Sequence, residues 1–211
     1  PQMRSKKKAA MSARRRAVTL EDYESLASNV PLVGKAKAQA SHPRLVTIYM
    51  QTQDDGTTTP GWDELANDVT ATWTRVSVDV ATYLSDKKPV GTQVNIEPPT
   101  YADLEVTMDV TSKPNYTNKE VQISVINSLT APSTGLFAYN GFTFGDKITV
   151  GDLYTKILSV PGVKYVTISG MFKSGGSGVA PVELAMNELP RLLTSNLTVA
   201  VDGGIGDPIL G

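Results

Sequence analysis

The chain has 211 residues, 40% of them apolar and 19% charged, which fits one large folded domain or two small ones. It contains no cysteine, which excludes disulfides, thiolate metal sites and cysteine nucleophiles. The single histidine, His42, excludes a multi-histidine metal site, and we interpret it as a loop residue. Threonine (23) and valine (22) are both abundant, and this β-branched excess indicates substantial sheet.

The formal net charge of −1 conceals a strong asymmetry. Residues 1–16 hold seven of the 20 lysines and arginines and no acid, so they form a basic arm ahead of an acidic body. No apolar stretch follows these cations, and the longest uncharged run, 121–145, is broken by proline and glycine. We therefore predict neither a secretion signal in this stretch nor a membrane span. Because the chain starts at Pro1, we expect it to be the C-terminal part of a longer polypeptide.

The first predicted helix starts at Thr19, whose hydroxyl can cap free backbone N–H groups, and it ends before Pro31. Strands are predicted over 35–39 and 44–53, and the second of these ends in an Asp-Asp-Gly turn at 54–56. Two adjacent acids in that turn do not make a calcium loop, since threonines stand where further ligands are needed.

A second helix is predicted from the Thr-Pro-Gly-Trp sequence that begins at Thr59. Its apolar residues repeat every three or four positions as far as Leu84, and Lys87 and Lys88 lie near its negative end. A short strand is predicted over 93–96. Pro98 and Pro99 then form a stiff extended break, which we take as the domain boundary.

Beyond that break, apolar and polar residues alternate from Leu104 to Thr111, which predicts a strand with one buried face. The next segment reads as a helix capped by Asn118, although its valines and isoleucine also fit a strand. The Ser-Gly-rich stretch at 174–178 lacks the lysine of a phosphate loop and is predicted to be a tether or hairpin tip. A last strand is predicted over 197–201.

One pattern occurs twice, 130 residues apart. Thr-x-x-Asp, seven residues and then Val-Pro-x-Val run from Thr19 to Val33 and again from Thr149 to Val163. Each copy combines a helix cap, a helix end and the entry to a strand. The simplest interpretation is two related modules in one chain. The alternative is chance, or independent convergence on favourable helix start and stop signals.

Several segments together resemble the baseplate J-like family of contractile phage tails and related injection machines. They include Arg-Ala-Val-Thr-Leu-Glu-Asp-Tyr-Glu from Arg16, Val-Pro-Leu-Val from Val30, and Lys-Pro-Val-Gly-Thr from Lys88. Val-Pro-Gly-Val from Val160 and Glu-Leu-Pro-Arg-Leu from Glu188 complete the set. The first module departs from the family in having Leu32 where the family typically has glycine.

The resemblance implies a non-enzymatic wedge subunit, without cofactor or metal, that helps form the ring around the central hub and rearranges when the sheath contracts. The expected partners are other wedge and hub subunits and copies of itself in a ring. The expected location is the tail baseplate of the virion, assembled in the host cytoplasm.

From the residues themselves we predict an α+β fold with two small related modules, each a few-stranded sheet with helices packed on one face. The predicted domains are a basic arm or linker (1–16), a first module (17–98) and a second module (99–211). The arm suits an acidic protein partner, a plain linker or nucleic acid. A nucleic-acid-binding protein that uses this arm is therefore the alternative function.

Candidate contact residues are the arginines nearest the first module and the aromatic residues that stand out in each module. In the long helix the alternative is packing on its own sheet, and in the aromatic cluster it is a hairpin core. The residues are Arg14, Arg15, Arg16, Trp62, Trp73, Phe137, Tyr139, Phe142 and Phe144.

Overall fold

The computed structural model describes residues 16–52 and 62–204, with side chains from Trp73 onward in the helix that begins at Trp62. The predicted turn at 54–56 and the predicted helix cap Thr59 lie outside the described residues. The chain forms two compact units that part between Thr100 and Tyr101. Both combine helices with a small sheet, which confirms the α+β class.

The described part of the first unit contains a three-stranded sheet and two helices. Its elements are α1 (Leu20–Ala27), β1 (Val33–His42), β2 (Leu45–Thr52), α2 (Trp62–Ser85) and β3 (Gln93–Glu97). The strand order is β1-β2-β3, with β1 antiparallel and β3 parallel to β2. Ile48 and Met50 of β2 and Val80 of α2 are fully buried in one core with side chains of α1. The helices therefore cover one face of the sheet.

The second unit is built around a long central strand. Its elements are β4 (Thr100–Ser112), α3 (Asn118–Thr130), β5 (Lys147–Ile148), α4 (Val150–Leu158), β6 (Val163–Lys173), β7 (Val182–Glu183), β8 (Glu188–Arg191), a 3-10 turn (Thr194–Asn196) and β9 (Leu197–Asp202). Strand β4 pairs antiparallel with β6 and parallel with β9, and β8 is also its neighbour. Leu104, Val106 and Met108 are fully buried, as the predicted alternation requires.

The two copies of the repeated pattern adopt the same local structure. Thr19 and Thr149 are both helix N-caps, and each forms a reciprocal capping box with the aspartate three residues on. Both helices then lead through a tight turn into a strand that pairs antiparallel with the central strand of its sheet. In the first unit this helix–strand segment precedes the central strand, whereas in the second it follows.

The turn between helix and strand explains the departure at Leu32. Leu32 has φ 67° and Gly162, the equivalent residue of the second copy, has φ 93°. Leu32 is the only non-glycine residue with positive φ among residues 16–52 and 62–204. The turn therefore needs a left-handed residue in both units, and the first unit forms it at a cost of about 1–2 kcal/mol.

Two sequence predictions need correction. The cap of α3 is Thr117, whose hydroxyl accepts from the Glu120 N–H, and not Asn118. Asn118 Oδ1 instead accepts from Ser112 Oγ at 2.7 Å and from the Gly204 N–H at 3.0 Å. The aromatic segment 137–144, for which a hairpin core was the alternative to a contact surface, forms no hairpin, because residues 131–146 contain turns and no strand. The prolines and glycines of this segment favour turns over a paired ladder.

Candidate interaction surfaces

The first unit has a fixed starting point directly after the basic arm. Ala17 is fully buried, and its N–H donates to the Lys87 carbonyl at 2.8 Å, just after α2. Lys87 Nζ donates to the Tyr83 carbonyl at 2.9 Å and lies over the Tyr83 ring, so a cation occupies the negative end of α2 as predicted. Arg16 is exposed, while Arg14 and Arg15 lie outside the described residues.

Of the two tryptophans of α2, only Trp73 has a described side chain. Trp73 is half-buried against the core of the first unit, and its indole N–H donates to the Met50 carbonyl at 3.2 Å. The Met50 carbonyl belongs to β2, so this bond fixes α2 on its own sheet. Trp62 is the first residue of α2, and its side chain lies outside the described residues.

The aromatic cluster of the second unit is anchored by its most buried member. Phe137 is 1% exposed, and its N–H donates to the Leu129 carbonyl at 3.0 Å, at the end of α3. Its ring centroid lies 5.4 Å from that of Phe142, a spacing typical of favourable aromatic pairs. Phe142 and Tyr139 are half-buried and Phe144 is buried.

Burial raises the pKa of the Tyr139 hydroxyl well above its ordinary value, and nearby Tyr101 adds to the shift.

Sequence reasoning missed two ion pairs that hold β8. Arg191 binds the Asp103 carboxylate with two hydrogen bonds, of 2.5 and 2.9 Å, so the guanidinium and carboxylate meet edge to edge. Lys173 Nζ lies 2.6 Å from Glu188 Oε2, which also accepts from the Ala185 N–H. Both Glu188 and Arg191 belong to the Glu-Leu-Pro-Arg-Leu segment that carried the family resemblance. No sequence signal indicated their charged partners, because Lys173 lies 15 residues from Glu188 and Asp103 lies 88 residues from Arg191.

Burial alone would raise the pKa of Glu188. The Ala185 N–H and Lys173 outweigh that effect, so the pKa lies below its ordinary value. The carboxylate is therefore held in its charged form and keeps both bonds at neutral pH.

The other predicted features lie apart from each other. His42 is not a loop residue as interpreted, but the exposed last residue of β1, where it pairs with Leu45. Residues 174–178 form the turn after β6. Among the side chains that the structure describes in residues 16–52 and 62–204, no three of His, Asp or Glu are grouped so as to hold a metal ion. Within the same ranges, no helix is both long and apolar enough to cross a bilayer.

The architecture defines the class of protein as an α+β chain of two sheet-based units. Residues 15–77 match the family model of the baseplate J-like central domain. The matched residues include most of the first unit, as far as the middle of α2. Within residues 15–77 the chain is therefore similar to the baseplate J-like central domain, in agreement with the sequence resemblance. No curated protein matches the sequence.

A solved structure shares the fold over most of the chain. It is the cryo-EM structure of the anti-feeding prophage baseplate, 6-fold symmetrised, which is 15% identical in sequence and has a TM-score of 0.57. The match covers 91% of this chain and 41% of the other chain, so this chain spans less than half of the protein it resembles.

Proposed function

We propose that this chain is a non-enzymatic structural subunit of a contractile tail baseplate, specifically a component of the wedge. The observation that carries the proposal is the match of residues 15–77 to the baseplate J-like central domain. The similarity of fold to a chain of the anti-feeding prophage baseplate supports it, because 91% of this chain takes part. Neighbouring wedge and hub subunits, and further copies of the chain in a ring, are the proposed partners. The proposed location is the tail baseplate of the virion, with assembly in the host cytoplasm.

The architecture suits such a role. Each described unit has its own buried core, so each can move as a rigid body without unfolding. Pro98 and Pro99 lie between β3 and β4, close to the point where the units part. We propose that the domains are 17–98 and 99–211 and that sheath contraction displaces them about this proline pair.

The proposed contacts with neighbours use the basic arm and the aromatic candidates. Arg14, Arg15 and Arg16 immediately precede the buried anchor Ala17 in the sequence, so an acidic surface that binds them would lie within a few residues of the first unit. In the second unit, the half-buried Tyr139 and Phe142 are better placed for contact than the buried Phe137 and Phe144, whose part would be to support them.

The decisive experiment uses particles from the host that encodes the chain. The gene is deleted, particles are purified and imaged by cryo-EM, and the intact gene is then restored on a plasmid. We expect complete baseplates to disappear on deletion and to return on complementation. Complete, contractile particles made without the chain would refute the proposal, as would purified particles that lack the chain altogether.

The hinge is tested in the same system. Replacing Pro98 and Pro99 together with alanine should leave assembly intact but change the efficiency of contraction, because the extended break becomes flexible. Unchanged contraction would argue against a hinge at this position.

A further inference from the structure

Edge strands are the most exposed pairing surfaces of an open sheet, and here two of them are partly covered by helix side chains. On β1, the Ala38 N–H donates to Glu24 Oε1 of α1 at 3.1 Å. On β9, the Val199 carbonyl accepts from Gln122 Nε2 of α3 at 2.7 Å. In both places a helix side chain occupies a backbone group that would otherwise be free to bind another strand.

Strand β3 is an edge of a different kind. The Gln93 N–H donates to the Arg44 carbonyl at 2.8 Å. In the parallel register with β2, the backbone N–H and C=O groups of Gln93, Asn95 and Glu97 therefore face β2. The N–H and C=O groups of the alternate residues, Val94 and Ile96, therefore point away from the sheet. Within the part of the chain that the structure describes, no group bonds to them.

The side chains on this edge are also incompletely covered. Val94 and Ile96 pack against the core of the first unit, beside Val46 and Ile48 of the neighbouring strand, yet both remain half-buried. A further strand at this edge would complete both the hydrogen-bond ladder and the cover of the apolar residues.

We propose that β3 pairs with β3 of a second copy of this chain, antiparallel and about a twofold axis midway between the two Asn95 residues. The proposal rests on the proposed function, in which copies of the chain are built into one assembly. It joins two three-stranded sheets into one of six strands and places the helices of both copies on the same side.

The strand is self-complementary in this register. Val94 lies opposite Ile96 of the second copy, so the four outward N–H groups and four outward C=O groups of the two strands can pair as four hydrogen bonds. Shifting the register by two residues in either direction places Val94 opposite Val94 or Ile96 opposite Ile96 of the second copy. Either shift separates Val94 from Ile96, so fewer of these groups can pair.

The side chains and the strand end agree with the same register. Glu97 lies opposite the neutral Gln93 of the second copy and not opposite another glutamate, so no like charges meet directly. The next outward position is Pro98, which has no N–H to leave unpaired. The pairing therefore ends where the chain can no longer donate.

The absence of cysteine from the sequence makes the pairing directly testable. Asn95 would lie opposite itself in a non-hydrogen-bonded pair, where Cα atoms are about 4.5 Å apart, within the range that a disulfide needs. Asn95 is exposed on the face away from the helices, so Asn95→Cys leaves the core intact. The matched control is Gln39→Cys, an exposed residue of the covered edge strand β1.

Both variants of the full chain are oxidised mildly and followed on non-reducing gels. We expect the disulfide dimer of Asn95→Cys to form about tenfold faster or more than that of Gln39→Cys, because pairing raises the local thiol concentration. Equal rates would overturn the pairing. That result leaves the baseplate proposal standing, since that proposal is tested separately on particles.

Two further comparisons test the register and the backbone. Gln93→Cys and Glu97→Cys should each crosslink slowly alone and rapidly when mixed. In the Asn95→Cys background, Val94→Pro should abolish rapid crosslinking and Val94→Ala should keep it, since both lose the valine side chain but only proline blocks the outward N–H. Rapid crosslinking of Gln93→Cys alone, or in the proline variant with its circular dichroism unchanged, would refute this register.

Discussion

Replacing Gly162 with alanine should destabilise the second unit far more than the same change at Gly175. Both glycines have positive φ, 93° and 85°, so alanine is strained at each. A Cβ at Gly162 would lie 2.8 Å from ring carbons of Tyr116 and 2.9 Å from a methyl of Val121. A Cβ at Gly175 would meet nothing within 4 Å. The pair therefore separates backbone strain from crowding inside one unit.

The magnitudes follow from these two contributions. Left-handed backbone costs an alanine about 1–2 kcal/mol, and the lower flexibility of its unfolded chain returns about 0.5–1 kcal/mol. Gly175→Ala should then lower the free energy of unfolding by about 0–1.5 kcal/mol. Crowding of the Tyr116 ring and Val121 adds about 1–3 kcal/mol at Gly162, as overpacking does elsewhere.

Urea unfolding of the two variants and the parent chain, followed by circular dichroism, measures the difference. The same measurement on Tyr116→Ala, alone and combined with Gly162→Ala, tests the cause, because Tyr116 is 36% exposed and its removal frees the space. We expect the double variant to recover about 1 kcal/mol relative to additivity. Equal destabilisation by Gly162→Ala and Gly175→Ala would refute the crowding argument.

Three further predictions concern stability and binding. Leu32→Gly should change the free energy of unfolding by less than about 1 kcal/mol, since relief of strain is offset by glycine entropy and lost packing; a loss above about 2 kcal/mol would contradict this. Thr149→Ala should cost about 1 kcal/mol in urea unfolding through loss of the capping box, and Thr149→Ser should restore most of it. Because the pKa of Glu188 is lowered from 4.5 in the folded state, its carboxylate should stabilise the fold above pH 4.5, and this gain should be lost as the pH falls from 4.5 through the lowered pKa. Glu188→Gln should therefore make thermal stability less dependent on pH in that acidic range. A pH profile unchanged by the substitution would argue against the bond to Lys173.

The alternative role of the basic arm is separable from these. If residues 1–16 bind nucleic acid, an electrophoretic shift should weaken steeply with salt and vanish when the arm is deleted. If the arm binds an acidic protein surface or only links domains, deletion should leave any shift unchanged. We expect the second result, because no aromatic residue stands among the cations for base stacking.

Local patterns in the sequence were enough to predict the main elements. The threonine caps, the Val-Pro helix ends, the alternation of β4 and the helical stripe of α2 each depend on residues close together in the chain. The structure confirms the caps Thr19 and Thr149, the helix ends and the alternation of β4. It confirms the stripe of α2 from Trp73 to Leu84, the part of that helix whose side chains are described. The positive φ shared by Leu32 and Gly162 could be suspected from the repeat but not shown, because a leucine alone does not signal a left-handed turn.

What depended on distant residues had to come from the tertiary structure. The bond of Asn118 to Gly204 displaced it from its predicted role as a cap, and the partners of Glu188 and Arg191 were brought together only by the sheet. The same holds for the open edge of β3, since an edge exists only once strand order is known. Helix caps and periodicities are set by neighbours within a few residues, whereas pairing across a sheet joins groups that the sequence keeps apart.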